Sequence, residues 1–144
     1  MTGLEGETIL HASAVAVEGR GVLILGAAGR GKTGLALGLM AQGASLIADD
    51  RTSLVRRGDA LVAFAPRTIL GLIEARGIGI LRADPAPPTP VALVVDLDRE
   101  EPDRIPPMHT WSCAGWCGPL IHGAGNPHLI PGILQFLRGG RSDS

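Results

Sequence analysis

Apolar and polar positions switch between two periods along this chain. Val22-Leu23-Ile24-Leu25 is a wholly apolar run ended by Gly26, the pattern of a strand covered on both faces. From Lys32 to Gln42 the period becomes helical. Leu35, Leu39 and Gln42 fall on one line with Ala36 and Met40 beside it, and Gly43 supplies a C-terminal stop. Upstream, Ile9 to Val17 reads as a strand, followed by a turn at Glu18-Gly19-Arg20-Gly21. Downstream, Ala44 to Ala48 is an apolar strand that ends at Asp49-Asp50. Thr52 to Val55 and Leu61 to Ala65 flank the polar turn Arg56-Arg57-Gly58-Asp59, which predicts a β-hairpin closed by Pro66.

The later pattern is less regular. Thr68 to Ala75 is expected as a short helix, with Thr68 as its N-cap and Arg76-Gly77 at its end, and Ile78 to Leu81 as a further strand. Asp84 to Pro90 reads as an extended, exposed Pro-rich linker. Val91 to Leu97 is a third buried strand, and Arg99 to Asp103 a charged surface run. Ile105 to Gly125 gives no readable period. Pro127 to Arg138 predicts a closing helix, with Pro131 in its first turn or at a kink. Residues 1–8 are expected to fray and 139–144 to be flexible, leaving 9–138 as the core of one domain spanning 1–144. Strands alternating with helices give the α/β class.

Composition narrows the partners. The chain has 144 residues, 13 basic and 14 acidic, for a net charge of -1. That balance gives no basic footprint for nucleic acid or an anionic membrane. No basic-then-apolar leader or long apolar run is present, so a cytoplasmic location is expected. The two cysteines, Cys113 and Cys117, are then expected to be reduced.

Twelve of the 13 basic residues are arginine; the single lysine is Lys32. It lies in Gly26-Ala27-Ala28-Gly29-Arg30-Gly31-Lys32-Thr33, which fits the phosphate-binding pattern G-x-x-x-x-G-K-[ST] between a buried strand and a helix. In such a P-loop the backbone N–H groups converge on phosphates, aided by the positive end of the helix. A compact ammonium fits between the β- and γ-phosphates where a broad guanidinium would not. The Thr33 hydroxyl is expected to ligate Mg²⁺, and ATP is the expected nucleotide.

Asp49-Asp50 ends the strand after that helix, where open α/β sheets bind ligands. One carboxylate would serve Mg²⁺ and the other would take a proton from a hydroxyl nucleophile; a plain polar turn is the competing explanation. His11 is a lone histidine in an apolar strand, a position more often structural than catalytic. Glu74 and Arg76 precede Gly77-Ile78-Gly79, where they could serve Mg²⁺ and phosphate or merely cap a helix. Cys113, Cys117, His122 and His128 have a spacing loosely like a zinc knuckle. A small core patch of Trp111, Cys113, Trp116 and Cys117 explains the same residues equally well.

Taken together, these residues resemble the catalytic domain of HPr kinase/phosphorylase, which phosphorylates a serine of the phosphocarrier HPr. The resemblance runs through Leu10-His11-Ala12, Gly21-Val22-Leu23-Ile24, the P-loop, Leu46-Ile47-Ala48-Asp49-Asp50-Arg51 and Ile73-Glu74-Ala75-Arg76-Gly77-Ile78-Gly79-Ile80. It continues into Val91 to Leu97 and Asp103-Arg104. Its most specific part is the Glu-x-Arg-Gly-x-Gly signature. The resemblance implies a P-loop, PEP-carboxykinase-like fold with a central mixed sheet, a homohexamer, and the short single-domain form. It implies active-site roles for His11, Lys32, Arg76 and Arg104. Asp49 or Asp50 would act as acid/base, with Thr33, Asp49 and Glu74 at Mg²⁺. Where the family carries Pro-Gly-Arg-Asn, a motif linked to dephosphorylation, this chain has His122-Gly123-Ala124-Gly125-Asn126, so the phosphate-dependent reverse reaction is expected to be reduced or lost. A small-molecule hydroxyl kinase of the same fold and a non-catalytic nucleotide-binding regulator are the alternatives.

Overall fold

The computed structural model describes residues 6–143. The chain runs β1 (Thr8–Leu10), β2 (Ala12–Val17), β3 (Arg20–Leu25), α1 (Lys32–Ala41), β4 (Ser45–Ala48), β5 (Thr52–Arg57) and β6 (Ala60–Phe64). A 3₁₀ turn (Arg67–Ile69) follows, then β7 (Leu72–Ala75), β8 (Gly79–Arg82), β9 (Thr89–Asp96), β10 (His109–Cys113), β11 (Trp116–His122) and α2 (Leu129–Gly139). Nine strands form one mixed sheet in the order β1-β5-β6-β9-β3-β2-β4, with β11 also on β9 and β10 on β11. β3, β9 and β11 are parallel neighbours, and the remaining pairs of this sheet are antiparallel. The expected α/β class and central mixed sheet are therefore present. Strands β7 and β8 form a separate antiparallel pair.

The expected first strand is broken at one residue. His11 sits at a bend between β1 and β2, so that β1 pairs with β5 while β2 pairs with β3 and β4. Of the expected fraying segment, residues 1–5 lie outside the described residues, and Thr8 already belongs to β1. Strand β2 is buried throughout and alternates. Ala12, Ala14 and Ala16 face one apolar cluster with Leu23, Ile47, Leu54 and Leu61. Val15 and Val17 face the other, with Leu35 and Leu39 of α1 and Ile133 and Leu137 of α2. The alanines leave room for the β5–β6 hairpin to fold over this face, while the valines fill the space under the helices.

Two expectations need correction. The helix expected over Thr68–Ala75 is one 3₁₀ turn followed by strand β7. Gly71 has φ +71°, which ends the helical path. Beyond it, Ile73 and Ala75 point inward while Leu72 and Glu74 point outward, a period of two. Thr68 makes no side-chain cap. The Pro-rich segment is extended but tied to β4. The Leu46 N–H donates to Asp84 O at 3.0 Å, the Ala86 N–H donates to Leu46 O at 2.7 Å, and Ala86 is buried. The unread region contains the β10–β11 hairpin, and Pro131 falls in the first turn of α2. At the other end, Ser144 lies outside the described residues, while α2 reaches Gly139 and Arg141 pairs with Asp143. Among the described residues no helix is long and apolar enough to cross a membrane.

Candidate active site

The loop between β3 and α1 lies at the carboxyl edge of the sheet. Gly31 takes the N-cap position at φ +96°, a left-handed conformation that glycine adopts without strain. No side chain caps the helix, so its first N–H groups stay available to an anion. Lys32 is buried, and its Nζ donates to Gly26 O at 2.7 Å and Ala27 O at 3.3 Å. The lysine is thus folded back along the loop it serves.

Strand β4 delivers Asp49 and Asp50 to the same edge, and the two carboxylates have different surroundings. Asp49 is buried and accepts three hydrogen bonds. Ser13 Oγ (3.0 Å) and Thr33 Oγ1 (2.8 Å) donate to Oδ1, and the Glu74 N–H donates to Oδ2 at 3.0 Å. Asp50 is exposed and sits at φ +67°, a left-handed conformation that aspartate tolerates better than most residues. Its N–H donates to Ser13 Oγ at 3.0 Å, and its carboxylate lies 3.2 Å from His11 Nε2. The bend at His11 aims that ring out of the sheet and toward Asp50.

A cavity of about 440 Å³ is lined by Lys32, Thr33, Asp49, Asp50, Glu74 and Arg76, together with Ala28, Gly29 and Gly31 of the loop. His11 meets it through Asp50. The cavity thus brings together Lys32, Thr33, Asp49, Asp50, Glu74 and Arg76, whereas Arg104 lines a different and larger cavity with Glu101 and His109. The donor set around Asp49 fits magnesium: a hydroxyl and a carboxylate, both hard oxygen donors, are in contact beside the glycine-rich loop. Glu74 is exposed on the same wall.

Two site residues were missed in the sequence. Ser13 is fully buried and bridges Asp49 and the Asp50 backbone; its signal was a lone hydroxyl inside the apolar run of β2. Asp98 follows β9, the neighbour of β3. Its carboxylate accepts the Ala27 N–H at 3.0 and 3.2 Å and lies 3.3 Å from Arg30 Nε. Asp98 falls between the expected strand Val91 to Leu97 and the charged run from Arg99, although an acid just past a central buried strand already points to the ligand edge.

The zinc-knuckle grouping is not formed. In the β10–β11 register Cys113 faces Trp116 and Ser112 faces Cys117, so the two cysteines point to opposite faces of the hairpin. Trp111, Cys113 and Trp116 pack on the apolar cluster, as the core-patch alternative expected, while Cys117 is exposed. Burial raises the Cys113 thiol pKa.

Comparison with known proteins adds to this geometry. The profile of the HPr serine kinase C-terminal domain matches residues 3–85. The HPr kinase/phosphorylase of Lactobacillus acidophilus is 44% identical over 73 residues, 50% of this chain and 23% of that protein. That of Limosilactobacillus reuteri is 39% identical over 102 residues, 65% of this chain and 32% of that protein. The chain therefore spans about a quarter to a third of the length of these curated relatives. The solved HPr(Ser) kinase/phosphatase of Coxiella burnetii superposes with a TM-score of 0.77 at 26% identity, covering 94% of this chain and 97% of that one. The profile match includes the loop, the aspartate pair and the Glu74–Arg76 hairpin and ends before Arg104.

Proposed function

The chain belongs to the HPr serine kinase C-terminal domain family, and on that premise we propose that it is an ATP- and Mg²⁺-dependent protein serine kinase acting on an HPr-type phosphocarrier. The observation that carries this reading is the single cavity that joins Lys32 and the loop amides to the Asp49–Asp50 pair. Phosphoryl transfer asks little covalent chemistry of a protein, only positioning and charge stabilisation. The loop amides and Lys32 would hold the terminal phosphates of ATP. Thr33, Asp49 and Glu74 would hold a magnesium ion, which supplies further neutralisation of phosphate charge.

Burial and hydrogen bonding favour distinct roles for the two aspartates. Asp49, buried and with both oxygens engaged, suits the ion. Asp50, exposed and next to His11, suits the base. Its carboxylate takes the proton of the target serine hydroxyl as that oxygen bonds to the γ-phosphorus. The bond from phosphorus to the β,γ-bridging oxygen breaks, and ADP leaves. Arg76, on the cavity wall, would stabilise the charge on the transferring group. We assign no step to Arg104, which lies outside this cavity. With no arginine in His122 to Asn126, the phosphate-driven reverse reaction is weak or absent in this reading. The family resemblance further suggests a single catalytic domain that assembles as a homohexamer, measurable by light scattering.

The test is transfer from labelled ATP to HPr by the purified chain with Mg²⁺, followed by addition of inorganic phosphate. Label is expected on a serine of HPr and is expected to persist after phosphate is added. Lys32→Ala should abolish labelling while the circular dichroism spectrum is kept. Labelling that is indifferent to Lys32→Ala, or ATP turnover driven by a small hydroxyl compound and not by HPr, would remove the proposal.

A further inference from the structure

Away from the Lys32 cavity, the fold brings three metal-ligating side chains to one point. Glu101 lies in the segment between β9 and β10, His109 opens β10 and His122 closes β11. The hairpin register pairs His109 with Leu120, so His122 lies two residues further along on the same face. The two imidazoles stack with centroids 4.0 Å apart and planes 18° apart. One carboxylate oxygen, Glu101 Oε1, is 2.6 Å from His109 Nε2 and 3.7 Å from His122 Nδ1. A ligating atom from each residue lies within 4.8 Å of the other two, and this is the one such trio among the described residues. The side chains are 17, 27 and 14% exposed for Glu101, His109 and His122, too enclosed for a freely solvated ion pair. All three open onto a cavity of about 730 Å³.

We propose that Glu101, His109 and His122 bind a first-row divalent cation, zinc by preference. Two imidazoles and a carboxylate form a donor set of intermediate softness, suited to zinc and poorly suited to magnesium, which prefers an all-oxygen octahedron. Three protein ligands leave a coordination position for water or a ligand from the cavity. Of the two ring nitrogens only that of His109 is within hydrogen-bond distance of Glu101 Oε1, whereas a single cation engages all three groups at once. The ion fastens the segment before β10 to the hairpin. That segment carries Arg104 and Ile105, the latter 81% exposed, so its position relative to the hairpin is what the metal fixes. The proposal stands on these three residues and is independent of the kinase reading.

The experiment uses the full chain, stripped with a chelator and titrated with Zn²⁺ against a chromophoric competitor, and in parallel with Co²⁺ followed by visible absorption. One ion per chain is expected, with Co²⁺ d–d bands and no thiolate charge-transfer band. Cys113→Ser/Cys117→Ser should bind as tightly as the parent. Glu101→Gln and His122→Ala should weaken binding by at least the roughly 10- to 100-fold that loss of an outer-shell partner costs, and Zn²⁺ should raise the thermal midpoint of the parent but not of His109→Ala. Where a histidine variant fails to fold, Glu101→Gln carries the test. Absence of stoichiometric binding by the parent, a thiolate band, or unchanged affinity in folded Glu101→Gln and His122→Ala would overturn the proposal.

Discussion

Replacing Ser13 with alanine probes how the aspartate pair is held, because one hydroxyl serves both members. Ser13 Oγ donates to Asp49 Oδ1 and accepts from the Asp50 N–H, each at 3.0 Å, and the side chain is fully buried. A hydrogen bond to a charged group contributes about 1.5–3 kcal/mol and a neutral one about 1 kcal/mol. The substitution removes one atom and leaves almost no cavity, so the loss is about 2–4 kcal/mol, nearly all polar. For a chain of this size that corresponds to a fall in thermal midpoint of roughly 6–12 °C. Asp49 keeps the Thr33 hydroxyl and the Glu74 amide, so its position largely survives. Asp50 loses the anchor that fixes its left-handed backbone. In the kinase reading its carboxylate then wanders, and phosphotransfer measured well below the midpoint should fall by about 10- to 100-fold. Val15→Ala, two residues along on the same face of β2 and fully buried, is the packing control: it should lower the midpoint and leave the rate nearly intact. Equal rate losses in the two variants, or no rate loss in Ser13→Ala, would refute the reasoning.

Gly21→Ala should cost about 1–3 kcal/mol by overpacking, since a Cβ there would lie 2.9 Å from Pro90 O where the β3–β9 register shifts; urea unfolding checks it. Asp98→Asn removes a negative charge from the loop amide of Ala27. At ordinary ionic strength ATP affinity should then rise about threefold, read by calorimetry and lost in high salt. Iodoacetamide should modify exposed Cys117 quickly and Cys113 slowly, because burial raises the Cys113 pKa and keeps its thiolate scarce. Peptide mapping over time distinguishes the two, and the contrast should narrow as pH rises toward the Cys113 pKa.

The parts of the fold that were legible share one property: their neighbours in sequence are also their neighbours in the site. The run Val22–Leu25, the glycine loop and α1 follow directly on one another, so period and punctuation were enough. The segment Thr68–Ala75 misled because Thr, Leu and Ile allow either a helical or an extended reading over so short a stretch. The register with β8 and the turn at Gly71 decided it. Residues His109–Cys113 alternate His, Trp and Cys with Thr and Ser, a strand pattern masked by the surrounding Pro and Gly. Ser13 and Asp98 could not be assigned from spacing, since their partners lie 36 and 71 residues away. His11 owes its place to a bend that neither flanking run announces.

The β7–β8 hairpin stands apart from the main sheet, with Ile78 and Ile80 more than two-thirds exposed at its tip. Its base is wedged by buried Ile73 and stitched to Asp49 by a single amide. Mechanically this makes a lever: an oily handle in water, a fulcrum in the core, and a short arm ending on the carboxylate that also holds Thr33. A load applied to the handle reaches Asp49 within one residue of the fulcrum, so grip at the periphery and oxygen geometry at the centre cannot be set independently.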